Sequence, residues 1–379
     1  MLVNGNMNKP SLWEKVEVMK YLYKYLHVLF FDDIKFYPSL VKSINNEEIL
    51  NPSEHIFITD KRKVYNEIKS YNNVRFVKRW ELFNYMLHSN WIFFHSMPIK
   101  KWQVVLLPVP ICKRIIWRTW GHDVRPFQED KKGILGGLKK MVFFAFKKKI
   151  QLFFALGISN DIDIVNIEEA YGYKFRYFKL NYLDSANDVK LVRSITPIQS
   201  NANKLVLIGH NCSPADNHML VLDELSKFRG EKIHLVIPLS YSDPKDGYKE
   251  KVIEKAVQIF GKDNVTILDD FIKKEDYVRL ISKIDIAIMD MYYSNGLGNI
   301  SYILYFKKKL YICKNGNMDK AFLAEGIIPN YVCDIVDQSF KEFINNDYDD
   351  RYMKFCDLLL SEDLFQIRWK TIMDQCDNA

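Results

Sequence analysis

The chain has 379 residues, 48% of them hydrophobic and 27% charged, a balance that suits a soluble globular protein with a real core and leaves room for two domains. The six cysteines (Cys112, Cys212, Cys313, Cys333, Cys356 and Cys376) form no CxxC pair, which argues against a zinc site or a disulfide framework and for reduced cytosolic thiols. The net charge of +7 divides unevenly: residues 1–190 carry 30 Lys+Arg against 19 Asp+Glu, a balance of +11, and residues 191–379 carry 24 against 28, a balance of −4. Such asymmetry predicts two domains with different partners, and a basic first half is suited to a nucleic acid or an anionic membrane. A charged leader with an apolar core is missing from the N-terminus, as is any uninterrupted apolar run of about 20 residues. Neither a signal peptide nor a spanning helix is expected.

Strand and helix signals alternate almost throughout, the pattern of a doubly wound α/β architecture. His27–Phe31, ending at Asp32 and Asp33, reads as a strand, as do Ile56–Ile58, Trp91–His95 and Arg114–Arg118, the last running into Trp120-Gly121-His122-Asp123. A helical block follows from about Gly136 to Phe154. It holds most of a basic amphipathic stretch in which Lys131, Lys132, Lys139, Lys140, Lys147, Lys148 and Lys149 occur with no acid between them. On a helix, Leu138, Met141, Val142 and Phe146 share a face and Lys139, Lys140 and Lys147 lie elsewhere. Lysines with bulky aromatics suit a helix lying among anionic headgroups, each lysine contributing about 1 kcal/mol. A core helix with a solvated lysine face is the plain alternative, and no RNA-type stacking motif or zinc finger favours a nucleic acid. Gly157–Ser159 starts a further element and Tyr173–Leu180 reads as the last strand of this half.

Residues from about Ser185 to Lys204 are polar and read as a linker. The pattern then restarts with Lys204–Gly209, Ile233–Pro238, a helix over Gly247–Phe260, and strands at Val265–Leu268, Ile284–Met291 and Leu310–Cys313. The tail from about Tyr348 to Trp369 reads as helical and suited to crossing back onto the first domain. The domains are therefore set at 1–190, 200–345 and a tail of 346–379. Asp161-Ile162-Asp163 spells the D-x-D of metal-dependent transferases, but Ser159-Asn160-Asp161 reads as a helix start, so the pair is taken as capping and no obligatory metal or other cofactor is expected.

The most informative segment is Ser294-Asn295-Gly296-Leu297-Gly298-Asn299, between an apolar strand and a helical Tyr302–Phe306. Strand, glycine loop and helix present backbone N–H groups and a partial positive charge to a phosphate. Ligands of open α/β sheets sit beyond the carboxyl ends of strands. That rule nominates Asp32, Asp33, His95, His122 and Asp123 in the first domain, and Gly209, His210, Asn211, Ser213, Tyr241 and the glycine loop in the second.

Four motifs carry a family resemblance: Trp117-Arg118-Thr119-Trp120-Gly121-His122-Asp123 as W-x-x-W-G-x-D; Gly209-His210-Asn211-Cys212-Ser213, followed by Asn217-His218, as a glycine-asparagine-serine loop with its N-x-H; Pro238-Leu239-Ser240-Tyr241 as P-x-x-Y; and Gly296-Leu297-Gly298-Asn299 as part of Q-G-I-G-T. In order and spacing, from about Tyr25 to Val336, the chain resembles the bacterial TDP-N-acetylfucosamine:lipid II N-acetylfucosaminyltransferases. The resemblance implies a GT-B fold of two Rossmann-like domains facing a central cleft. It implies a nucleotide-sugar donor, with TDP as its nucleotide, in the C-terminal domain. It also implies an undecaprenyl-diphosphate-linked acceptor at the inner face of the bacterial cytoplasmic membrane. Within that reading the backbone of Gly296, Gly298 and Asn299 with Asn295 takes the diphosphate, Asn211 and Ser213 take phosphate or sugar, and His210 or Tyr241 takes the nucleotide. Asp123 leads as base, its carboxyl raised by Trp117 and Trp120, with His122, Asp32 and His95 behind it. The alternatives are a soluble GT-B epimerase, or a non-catalytic nucleotide- or glycan-binding protein.

Overall fold

Strands buried on both faces must be apolar along their whole length, and the chain supplies two sets of them. The computed structural model describes residues 22–34, 36–46, 50–120, 134–158, 161–180, 185–196, 203–242, 244, 246–270, 272–293, 295–356 and 363–379. They form two compact units: Met1–Ser159 with Ile167–Tyr182 and Arg368–Ala379, and Leu183–Ile367 with Asn160–Asn166.

The first unit holds a parallel sheet of β1 (Tyr23–Val28), β2 (His55–Thr59), β3 (Val74–Phe76), β4 (Ser89–His95), β5 (Ile115–Arg118), β6 (Ala155–Ile158) and β7 (Tyr177–Lys179), in the order β3-β2-β1-β4-β5-β6-β7. Helices α1 (Tyr37–Asn46), α2 (Arg62–Ile68), α3 (Leu82–Leu87), α4 (Lys101–Val105), α5 (Val109–Cys112), α6 (Ile134–Ile150) and α7 (Asp161–Tyr171) connect the strands. The short strand β3, Val-Arg-Phe with two exposed residues, gives no apolar run for a sequence reading to find.

The basic block becomes α6, but its faces differ from the expected ones. Phe143, Phe146 and Ile150 are buried, with Phe146 edge-on to Trp117 and Tyr171, whereas Leu138, Met141 and Phe144 are exposed. Leu138 and Met141 therefore do not share the face of Phe146. The sheet takes the bulkiest side chains near the helix C-terminal end, and the apolar residues of its first half are left beside exposed Lys139, Lys140 and Lys148. Lys131 and Lys132 lie outside the described residues.

The second unit holds β8 (Lys204–Ile208), β9 (Ile233–Pro238), β10 (Val265–Leu268), β11 (Ile286–Met289), β12 (Lys309–Ile312) and β13 (Asn330–Tyr331), all parallel, in the order β10-β9-β8-β11-β12-β13. Its helices are α8 (Ser185–Arg193), α9 (His218–Leu225), α10 (Tyr248–Phe260), α11 (Lys274–Lys283), α12 (Leu297–Tyr305), α13 (Asn317–Ala324) and α14 (Phe340–Ile344). Alternation along the strands divides its core by face. Leu207, Ala287, Met289, Leu310 and Ile312 pack with residues of α11, α12 and α13. Val206, Ile208, Ile286, Ile288 and Tyr311 pack with residues of α9, α10 and α14.

Where a linker was expected, Ser185–Arg193 forms a helix, and buried Val192 and Ile195 join the second core. Two well-placed apolar side chains outweigh a polar composition. The tail is split, with a 3₁₀ turn over Asp350–Cys356 and a helix over Leu364–Asp377. That last helix inserts fully buried Trp369 against His27, Phe93 and His95 of the first sheet, and Asp377 accepts hydrogen bonds from Lys24 and Tyr25.

Candidate functional site

In the second unit the strand order reverses direction between β8 and β11, so the loops leaving these neighbours part and open a crevice at their carboxyl ends. The β8 loop turns at Gly209, whose φ of +69° suits glycine. A Cβ there would stand 2.6 Å from His218 Nε2 and 2.8 Å from Asp216 Oδ2. Asp216, fully buried, organises this loop. Its Oδ2 accepts from the backbone N–H of His210 at 2.8 Å and of Asn211 at 3.2 Å, and lies 2.9 Å from His210 Nδ1, a close contact without hydrogen-bond alignment. The His210 imidazole is thereby held with its Nε2 3.0 Å from Asn211 Nδ2.

The β11 loop closes on the same ring. Gly296 has φ +64°, and a Cβ on it would sit 3.0 Å from His210 Cγ. Gly296 opens α12 and, lacking a side chain, makes no side-chain cap itself. The first-turn N–H groups of a helix lack intrahelical partners, and at this end they carry the positive pole. Among the described residues, nothing outside α12's own backbone and Gly298's chain neighbours lies within 4 Å of a Cβ position at Gly298, so there is space beside that turn.

Asp290, at the end of β11, ties the strand ends together. Asn217 Nδ2 donates to its carbonyl at 2.9 Å and to its Oδ2 at 3.0 Å. Burial raises this carboxyl against the Asn217 and Cys313 hydrogen bonds, which lower it. Cys313, at the end of β12, is pushed up to about 11 by burial and by Asp290, so the thiol stays protonated and donates. Gly316 follows, where a Cβ would meet three carbonyl oxygens at 3.1–3.2 Å.

The other expected donor-side residues have definite places. Ser213 Oγ accepts from Ala215 N at 3.2 Å and caps a 3₁₀ turn. The Tyr241 carbonyl accepts from Cys212 N at 2.6 Å, and its ring is exposed. Asn295 N donates to Tyr293 O at 2.7 Å, and Asn299 lies in the first turn of α12. Ser294 lies outside the described residues.

In the first unit the equivalent neighbours are β1 and β4. Asp32 is exposed in the loop after β1, and Asp33 Oδ1 accepts from Phe36 N at 2.9 Å. His95 ends β4 and is 1% exposed. It belongs to a chain of three buried imidazoles: His27 Nδ1 stands 2.9 Å from His95 Nε2, and His27 Nε2 stands 2.9 Å from His55 Nδ1. Burial pushes His95 and His55 down to about 3 and His27 well below the usual imidazole range, so all three are neutral. The buried Arg118 guanidinium adds to the depression at His95. Tyr37 donates to the His95 carbonyl at 2.5 Å, and Ser96, next in line, holds a positive φ of 77°. His122 and Asp123 lie outside the described residues.

Asp216, His27 and His55 were missed as site-forming residues in the sequence. The signal for the histidines was present: one imidazole in each of three apolar strands. Asp216 offered none, since a short turn alone carries its carboxylate back onto the loop. Asp161 and Asp163 fall in the first turn of α7, and among the described residues no cluster of three metal-binding side chains occurs.

A family model described as 4-alpha-L-fucosyltransferase, glycosyl transferase group 56, matches residues 57–344, most of the chain. The chain belongs to that family. It is a glycosyltransferase, and the family is the one its four motifs resemble. Solved structures agree on the fold. A glycosyltransferase from Rickettsia africae superposes with a TM-score of 0.63 at 11% identity, covering 94% of this chain and 98% of that one. HepE of Anabaena, in complex with UDP, gives 0.58 at 9% identity over 93% and 97%. A UDP-forming trehalose-phosphate synthase from Burkholderia vietnamiensis gives 0.55 at 9% over 94% and 100%. The glycosyltransferase is thus of the GT-B type, with two parallel Rossmann-like sheets.

Proposed function

We propose that this glycosyltransferase moves a 4-acetamido-4,6-dideoxy sugar from a TDP-linked donor to an undecaprenyl-diphosphate-linked saccharide at the inner face of the bacterial cytoplasmic membrane. One observation carries the donor side: the start of α12, opened by Gly296, stands against the His210 loop at the strand-order reversal. There the N–H groups of Leu297, Gly298 and Asn299 receive the diphosphate, with Asn211 beside them. Charge develops on that diphosphate as the glycosidic bond breaks, and fixed dipoles stabilise it without reorganising. On the acceptor side Asp123 is the base, with His122 and Asp32 behind it. HepE, a fold relative, was solved with UDP bound, which supports a nucleoside diphosphate in this fold.

The exposed face of α6 supports the membrane side. Leu138, Met141 and Phe144 stand out among Lys139, Lys140 and Lys148, an apolar row with flanking cations. Among the described residues no helix is long and apolar enough to cross a membrane, so contact in this reading is peripheral. Sedimentation with anionic liposomes, and its loss on exchanging the three lysines for glutamate, checks that part and separates this reading from a soluble epimerase.

The donor assignment is tested by thermal shift against TDP, UDP, GDP, CMP and NAD, with and without magnesium. A nucleotide at 100 times its Kd adds roughly 2.7 kcal/mol of stability. A shift with TDP, unchanged by magnesium, is the expected result, and silence with every nucleotide sinks the proposal.

A further inference from the structure

We propose that His210, aimed by Asp216, is the side chain that grips the donor's diphosphate, and that Asp216 acts through it as a positioning residue. The inference rests on the donor reading above and names a contact within it.

Three observations lead there. The His210 ring packs against Gly296, the residue that opens α12, so it borders the helix start. Its Nδ1 edge lies 2.9 Å from Asp216 Oδ2 without hydrogen-bond alignment, and that Oδ2 takes the backbone N–H groups of His210 and Asn211. Those two backbone donors are therefore spent inside the loop, and the polar groups left to a ligand are side chains. The third observation is an unsatisfied one: Asn211 is 8% exposed, its Nδ2 lies 3.0 Å from His210 Nε2, and its Oδ1 has no hydrogen-bond partner among the described residues. Buried polar atoms seldom stay unpaired, so an amide and an imidazole meeting beside an open helix end mark a place where a ligand completes the pairing.

With its Nδ1 edge against Asp216, the ring turns Nε2 toward Asn211 Nδ2 at 3.0 Å. An Nε2–H there donates to a phosphate oxygen in place of the Asn211 contact, with the Asp216 carboxylate fixing the ring from its far side. The charged and titratable groups facing His210 are Asp216 and His218, the latter neutral because burial lowers it to about 4. The contact is to the diphosphate, so it discriminates between a nucleoside diphosphate and the bare nucleoside.

The test is calorimetry with TDP and UDP, and with thymidine and uridine, on the full chain. His210→Gln puts an amide of similar reach in place of the imidazole. It is expected to weaken diphosphate binding about tenfold and leave nucleoside binding unchanged. Asp216→Asn is expected to weaken diphosphate binding in the wild-type background and to add nothing in the His210→Gln background, as coupled partners do. Equal losses for nucleoside and diphosphate, or none, overturn the His210 contact. A further loss from Asp216→Asn on top of His210→Gln overturns the positioning role, and if Asp216→Asn fails to fold, His210→Gln alone decides the contact. If the wild-type chain binds no nucleoside diphosphate at all, the donor reading itself fails, an outcome distinct from the others.

Discussion

The two sheets share one strand order through their first six strands, yet they place their polar groups differently. In the first unit imidazoles sit buried inside the strands, on β1, β2 and β4, with Trp369 packed on His27 and His95. In the second the central strands β8 and β11 are apolar where they are buried, and polar groups gather in the loops beyond them around two positive-φ glycines. Polar groups within a buried strand must satisfy one another, so they rigidify the sheet. Polar groups beyond a strand end are free to be completed by a ligand. One topology thus supports a structural polar chain in one unit and a binding loop in the other.

Removing the lid of the imidazole chain is the hardest blow to this contrast. Trp369→Ala should destabilise the first unit by about 3–5 kcal/mol, since the ring is fully buried, and urea unfolding of the full chain measures it. If the cost is a few tenths of a kcal/mol, the sheet does not depend on the C-terminal helix.

Acid attacks the same chain. His55 and His95 sit near 3 when folded against an ordinary 6.5, so the unfolded chain binds more protons between these values and stability falls with falling pH. The contribution is full above about pH 6.5, and each of the two histidines removes about 2 kcal/mol by pH 5. Denaturant midpoints at pH 7.5 and pH 5 should separate clearly, and His55→Gln should narrow the gap.

In the second unit the glycine pair sharpens the comparison. Gly296→Ala forces a positive φ on a residue with a Cβ and drives that Cβ into His210, at about 1–3 kcal/mol and with loss of nucleotide binding. Gly298→Ala meets open space and should leave stability within about 0.5 kcal/mol, while its methyl enters the space proposed for the diphosphate. Nucleotide affinity measured beside thermal stability tells the two substitutions apart.

The two-sheet fold was legible because buried parallel strands must be apolar throughout, and runs such as Ile233–Pro238 and Trp91–His95 carry that mark on their faces. The glycine loop was legible for a similar reason, since Gly296 serves a local backbone need at φ +64°. The faces of α6 were not. Helical spacing grouped Leu138 and Met141 with Phe146, but only the packing of Phe143, Phe146 and Ile150 decided which stripe was buried. Ser185–Arg193 was misread because two buried side chains, rather than composition, hold it in place.

By itself, then, the sequence determined the strand count in the main, the division into two α/β units, the family and the loop that starts α12. These follow from periodicity and from motifs contiguous in the chain. Only the tertiary structure decided that His27, His55 and His95 form one chain, that Trp369 packs on His27 and His95, and that the His210 ring lies between Asp216 and Gly296. Such contacts join residues from 6 to several hundred positions apart. They are set by strand order and loop closure, and neither leaves a local trace in the chain.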